Sequence, residues 1–168
     1  MKRLILLVHL ILLLAGCGYH TVGQGSFPDG VRAIQVSLFE NRTYEPLLED
    51  IVTNQVIEEF SRRRPLNVVS LESDADARLE GAVTRFQVSA ISYDQDDRIG
   101  QFRATVAIEA TLRSFDDGRV LWKGGLSWSQ HYPIDADKSV QEENEAAAIR
   151  MIAERLAQNL YYRMQQNF

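Results

Sequence analysis

The chain has 168 residues, a formal net charge of −5 at neutral pH and a single cysteine. One cysteine excludes an intramolecular disulfide. The acidic balance argues against a nucleic-acid binder, which needs a basic face to displace counterions from phosphates.

Lys2 and Arg3 precede an apolar run from Leu4 to Leu14, the charged and apolar regions of an export signal. The run is too short for a membrane-spanning helix, which needs about 20 apolar residues. Leu14-Ala15-Gly16-Cys17 resembles the bacterial lipobox, in which the cysteine becomes the acylated first residue of the mature protein. A secretory signal with an incidental cysteine is the alternative. Gly18 stands where an aspartate would mark inner-membrane retention, so the resemblance implies outer-membrane sorting. Three segments are expected: a lipoprotein signal peptide over 1–16, a lipidated tether over 17–30 and a single domain over 31–168. Removing residues 1–16, with Lys2 and Arg3, leaves 152 residues at a formal charge of −7. A chain of that length buries roughly two-thirds of its unfolded surface and needs no staple.

Pro28 and the glycines of 18–30 read as linker. The stretch "VRAIQVSLFEN" predicts one strand, with Ile34, Val36 and Leu38 on one face and Val31, Ala33 and Phe39 elsewhere. Pro46 suits a first helical turn, with Glu45 and Glu49 at the positive helix end. The apolar positions Leu48, Ile51, Val52, Val56 and Phe60 then recur every three or four residues, until Arg62-Arg63-Arg64 and Pro65 stop the helix. The arginine triplet is either an anion site or a solvated helix end that offsets the dipole.

"PLNVVSL" predicts a short strand and "DADARLEGAVTRFQVSAISYD" a long one. The alternation of the long one changes phase between Val83 and Phe86, which requires an extra residue near Thr84 or Arg85, a bulge. "QFRATVAIEATLRSF" sends Phe102, Ala104, Val106, Ile108, Ala110 and Leu112 inward and Arg103, Thr105, Glu109, Thr111 and Arg113 outward. Asp116-Asp117-Gly118 marks a tight hairpin into a strand carrying Trp122 and Trp128. A last helix is expected from Ser139, with Ser139 and Glu142 as a capping box and Ile149, Ile152, Ala153, Leu156, Leu160 and Met164 as its apolar stripe. Tyr161 and Tyr162 should pack at the edge of that stripe. The element order predicts an α+β two-layer sandwich: two helices on one face of a four- to five-stranded mixed, largely antiparallel sheet.

Little in the sequence suggests catalysis. The three histidines have no metal-ligand spacing, no serine lies in a nucleophile elbow, and the glycines form neither a phosphate loop nor a dinucleotide fingerprint. Neither enzymatic activity nor a cofactor is expected. The hairpin geometry brings the loops around 94–100 and 133–139 together, offering Arg98 and Lys138, with Arg103 just inside the strand, to an anionic group. The same charges could simply balance Asp96, Asp97, Asp135 and Asp137.

In order along the chain, "LAGCGYH", "FENRTYEPLLEDIVTNQVIEEF", "ADARLEGAVTRFQVSAISYD", "GRVLW" and "AAAIRMIAERLAQNLYYRM" resemble the lipopolysaccharide-assembly lipoprotein family LptE, or RlpB. The resemblance implies an α/β sandwich lodged in the β-barrel of the translocon protein LptD. There it would plug the barrel, assist its assembly and bind lipopolysaccharide, catalysing nothing. By position, Arg98 and Lys138, with Arg103, become the candidate lipopolysaccharide contacts. The aspartates beside them suit divalent-cation bridging as well as repulsion of phosphate. Barrel interiors are polar, so the outward Thr105, Glu109, Thr111 and Arg113 become candidate barrel contacts. An outer-membrane adaptor lipoprotein with no lipopolysaccharide role would show the same anchor and fold.

Overall fold

The computed structural model describes Phe27 and residues 30–64, 66–93 and 99–166. Among these residues lie six strands and two α-helices: β1 Ala33–Val36, β2 Glu40–Asn41, α1 Leu48–Arg62, β3 Asn67–Val69, β4 Ala77–Tyr93, β5 Ile99–Ser114, β6 Val120–Pro133 and α2 Lys138–Gln166. The sheet order is β3-β1-β4-β5-β6, with β2 also paired to β4. β1 and β2 run parallel to β4, and β4, β5 and β6 form an antiparallel meander. The expected α+β sandwich is present, with more strands than predicted because the stretch 31–41 divides.

That division has a local cause. The backbone stays on β4 through Ser37 N–H to the Leu79 carbonyl and Arg42 N–H to the Val83 carbonyl, each 2.9 Å. Between them the chain leaves strand geometry, turning Leu38 outward to 63% exposure while Phe39 enters the core at 1%. Alternation alone would place Leu38 on the face of buried Ile34, which the strand break prevents. Phe39 lies over Gly81, where an absent Cβ makes room for its ring. Its N–H donates to Thr53 Oγ1 at 2.9 Å, and the Thr53 hydroxyl donates to the Glu49 carbonyl at 2.6 Å. A buried threonine thus ties the strand break to the first turn of α1.

α1 begins at Leu48, so Pro46 sits in the turn before the helix and not in its first turn. Leu47 takes the cap position with φ 65°, a left-handed conformation unusual for leucine. Asn41 organises this entry. Its Nδ2 donates to the Glu45 carbonyl and to Glu49 Oε2, both at 2.7 Å, while its Oδ1 accepts from Thr43 N–H and the Thr43 hydroxyl.

The bulge falls where the phase change required it: Val83 pairs with Ile108, and Arg85 with the adjacent Ala107. Leu79, Gly81 and Val83 therefore share the inward face with Phe86, Val88 and Ala90 despite the change of parity. At the next hairpin Gly118 supplies φ 71°, and Ser114 and Arg119 close the turn with a 2.9 Å backbone bond.

Both helices lie on the inward face, α1 over β1 to β4 and α2 over β5 and β6. α2 starts one residue before Ser139, and the cap is Asp137, whose Oδ1 accepts the Ser139 N–H at 2.8 Å. The expected Ser139–Glu142 box is replaced because an earlier carboxylate takes the orphan donor. Glu142 instead pairs with Lys138 at 3.5 Å. Tyr161, 2% exposed, belongs to the core and not to the edge of the stripe. It meets the Phe60 and Phe27 rings edge-on at 5.2 and 5.4 Å. Phe27 is 4% exposed, so the domain core already includes a residue of the expected tether.

Candidate functional site

The sheet face opposite the helices has no second layer among the described residues, and its three long strands set the arrangement. Pairing aligns Arg78, Arg113 and Val120 at one end, then Glu80, Thr111 and Lys123, then Ala82, Glu109 and Gly125. Further along come Gln87, Thr105 and Ser129, then Ser89, Arg103 and His131. Each expected outward residue of β5 therefore faces out. Neighbouring strands complete the surface with Glu40, Arg42, Glu80, Lys123, Ser129 and His131, which no reading of β5 alone could supply, because register is a tertiary property.

The face is cross-linked by polar contacts. Thr105 and Ser129 share a hydroxyl hydrogen bond of 2.8 Å, and Arg103 Nε donates to His131 Nε2 at 3.0 Å. Arg113 donates to the Gly118 carbonyl at 2.9 Å and lies 4.0 Å from Glu80. Arg78 pairs with Glu72, and Arg42 with Glu40 at 2.6 Å. The hydrogen bond and charge of Arg42 hold the Glu40 carboxyl below its ordinary range. Glu109 stands between two small neighbours, Ala82 and Gly125. A shallow concavity opens there, lined by Glu40, Arg42, Glu80, Glu109, Thr111 and Lys123. Such a surface can make many hydrogen bonds to a polar wall without exposing a large apolar patch.

The expected cationic end is only partly described. Backbone pairing of Gln101 with Pro133, and of Ile134 N–H with the Gly100 carbonyl, brings the start of β5 to the chain leading into α2, as the hairpin geometry required. Arg98 lies outside the described residues, as do Asp96 and Asp97. Lys138 is at the start of α2 with its side chain 90% exposed, facing Glu142, while Arg103 is engaged with His131 on the bare sheet face. The two cations therefore occupy different layers of that end.

Of the arginine triplet, Arg62 pairs with Glu58, and Arg63 reaches Glu59 at 2.7 Å while its guanidinium lies over the Tyr161 and Tyr162 rings at 5.6 and 5.1 Å. Both are committed within the helix layer, which favours the helix-end reading over an anion site.

Two carboxylates missed by sequence reasoning act on each other electrostatically. Glu45, in the loop before α1, is raised above its ordinary pKa by partial burial and by the like charge of Glu145 on α2. Its ionised form is the disfavoured one, so this penalty on folding appears as pH rises from the ordinary carboxyl value through the raised one. Tyr132 donates to Glu145 Oε2 at 3.0 Å, and burial, followed by that hydrogen bond, raises the phenol as well. No periodicity could have signalled this pair, since 100 residues separate its members.

Among the described residues, no group of three or more His, Cys, Asp and Glu side chains could hold a metal ion. No described helix is long and apolar enough to cross a membrane.

The architecture is shared with solved lipoproteins. A putative lipoprotein from Caulobacter crescentus CB15 matches with a TM-score of 0.57 at 14% identity, covering 79% of this chain and 87% of its own. Rare lipoprotein B from Shewanella oneidensis matches at 0.56 and 11% identity over 81% and 96% of the two chains. Lipoprotein B from Nitrosomonas europaea, solved in solution, matches at 0.58 and 10% identity over 88% and 90%. At these identities the likeness is one of fold. No curated protein matches the chain in sequence. The family model described as "LptE: Lipopolysaccharide-assembly" matches residues 31–164, the whole sandwich from the start of β1 to the last turns of α2. The chain belongs to the LptE lipopolysaccharide-assembly family, a family of non-enzymatic, outer-membrane-associated lipoproteins.

Proposed function

We propose that this protein is held to the outer membrane through acylated Cys17, lodges in an LptD-type β-barrel whose assembly it assists, and binds lipopolysaccharide on its way to the outer leaflet. The observation that carries the reading is the bare, polar face of β4, β5 and β6. A strand face of a small domain normally packs on a core or faces water. Here hydroxyls and charged side chains predominate, broken by Ala82, Gly125 and Val120, along strands of 14 to 17 residues. Strands of that length extend about 45–55 Å, longer than the roughly 30 Å hydrocarbon core of a bilayer. A polar plug of that reach suits the polar lumen of a large barrel.

Thr105, Glu109, Thr111 and Arg113 are the proposed barrel contacts. The double substitution Glu109→Lys with Arg113→Glu keeps the net charge and reverses its pattern, and should reduce recovery of the barrel with the affinity-tagged protein from native outer membranes. Undiminished recovery would remove this row from the interface.

Arg98, Lys138 and Arg103 are the proposed lipopolysaccharide contacts. A charge-assisted hydrogen bond contributes about 1.5–3 kcal/mol, so each alanine substitution that removes one should weaken binding of purified lipopolysaccharide about tenfold or more. Lys138→Ala is the cleanest of the three, because its side chain is almost fully solvated and the fold loses little with it. Equal binding by Lys138→Ala and wild type would exclude Lys138.

A further inference from the structure

The two layers of the sandwich are unequal. α1 has 15 residues and α2 has 29, against 17 in β4, so their lengths are about 22, 43 and 55 Å. α2 packs on β5 and β6, and the shorter α1 on β1 to β4. Past the bulge, the inward side chains Phe86, Val88 and Ala90 of β4, with Phe102 beside them on β5, are only half-buried. The backbone edge of β4 is open over the same stretch. β2 pairs with it only as far as Val83, and among the described residues no strand continues along Arg85–Tyr93. An open edge beside a half-buried apolar row is a liability that domains usually cover or break with charge.

The place where β2 departs is built to receive something. The Asn41 network described above fixes the loop 42–47, which holds Tyr44 fully in solvent and Leu47 at 61% exposure. A depression beside them is lined by Arg42, Thr43, Tyr44, Glu45, Thr84, Arg85 and Phe86. Its one carboxylate is Glu45, and Arg42 and the exposed Arg85 stand at its outer side.

We propose that the free edge of β4, from Arg85 to Tyr93, is a docking site for an extended segment of a partner polypeptide. The segment would add a strand where β2 ends, place alternate apolar side chains on Phe86, Val88 and Ala90 against Tyr44, and present a lysine or arginine to Glu45. Main-chain hydrogen bonds supply affinity in this mode, and the alternating side chains supply specificity. The cationic residue follows from charge complementarity, and strand form follows from the unpaired backbone, which neither a helix nor an acyl chain can satisfy. This edge adjoins the polar face assigned above to the barrel, sharing Arg42 with its concavity, and does not depend on that assignment.

The test is selection of randomised ten-residue peptides on the purified mature protein, followed by amide hydrogen exchange of the protein with a selected peptide bound. The expected peptides alternate apolar with polar residues, carry a lysine or arginine, and protect amides within 85–93 at least tenfold. N-methylation of one alternate set of peptide amides should abolish binding and of the other set spare it, as only one set faces β4. Val88→Lys should weaken binding at least tenfold with its unfolding midpoint near that of wild type. Failure to enrich any peptide, protection confined to the helices, or equal tolerance of both methylated sets would overturn the proposal. So would self-association that protects the same amides, or a detergent acyl chain that competes fully with the peptide.

Discussion

Gly81→Ala is expected to destabilise the domain by about 3 kcal/mol, the upper part of the range for overpacking a core. A Cβ at Gly81 would lie 2.2 Å from one ring carbon of Phe39 and 2.5 Å from two others. Ordinary carbon contacts are about 3.5–4.0 Å, so the ring would have to move by more than an ångström. It has little freedom to do so. Phe39 is 1% exposed, its N–H is held by buried Thr53, and Thr53 is bonded back to the Glu49 carbonyl. Moving the ring therefore disturbs the entry to α1 as well as the β4 face. Phe39→Ala alone should cost about 3–5 kcal/mol through the cavity it leaves. Because each substitution removes the reason for the other's penalty, the double variant should be more stable than the sum of the two single losses predicts. Urea denaturation of the four proteins measures this directly. Simple additivity would show that the two residues do not share one space.

Cys17→Ala should abolish acylation and, with it, outer-membrane residence in cells depleted of the barrel partner. Each buried acyl methylene contributes about 0.8 kcal/mol, and stable anchoring needs more than one chain, so the domain loses its own hold on the bilayer with the lipid. The measurement is fractionation of such cells together with the intact mass of the purified protein, which reports acylation. A wild-type protein whose mass carries no acyl chains would contradict the anchor. The expected tether is short. From Cys17 to the buried Phe27 is ten residues, at most about 33–36 Å of extended chain. Phe27 sits with Phe60 and Tyr161, near the C-terminal ends of both helices. Phe27 therefore enters the core at the end of the sandwich opposite Lys138 and the start of β5.

Much of this protein could be read from its residues in order. The two helices are declared by apolar spacing, the bulge by a change of parity between Val83 and Phe86, and the last hairpin by Asp-Asp-Gly. The outward row of β5 follows from strict alternation. Each of these depends on residues within one element, where backbone geometry alone dictates which side chains share a face. The lipobox resemblance at Cys17 and the family resemblance are equally local, carried by short ordered motifs. The misreadings have the opposite character. The split of 31–41, with Leu38 out and Phe39 in, depends on Gly81 more than 40 residues away leaving room for a ring. The true cap of α2 depends on whether Asp137 or Ser139 reaches the free amides first, and α1 starts late because Asn41 holds the loop before it. Tyr161 is core because Phe27 and Phe60 arrive from distant segments.

The candidate surfaces divide in the same way. Sequence alone determined the charge, the candidate anchor and the polar stripe of a single strand, since each is a property of neighbours in the chain. Only the tertiary structure decided which residues of β4 and β6 complete that stripe, that the charge of Glu145 acts on Glu45, and that among the described residues no strand flanks β4 beyond Val83. Those outcomes depend on register between strands and on the unequal reach of two helices over one sheet, and both are fixed by packing between segments that no local pattern relates.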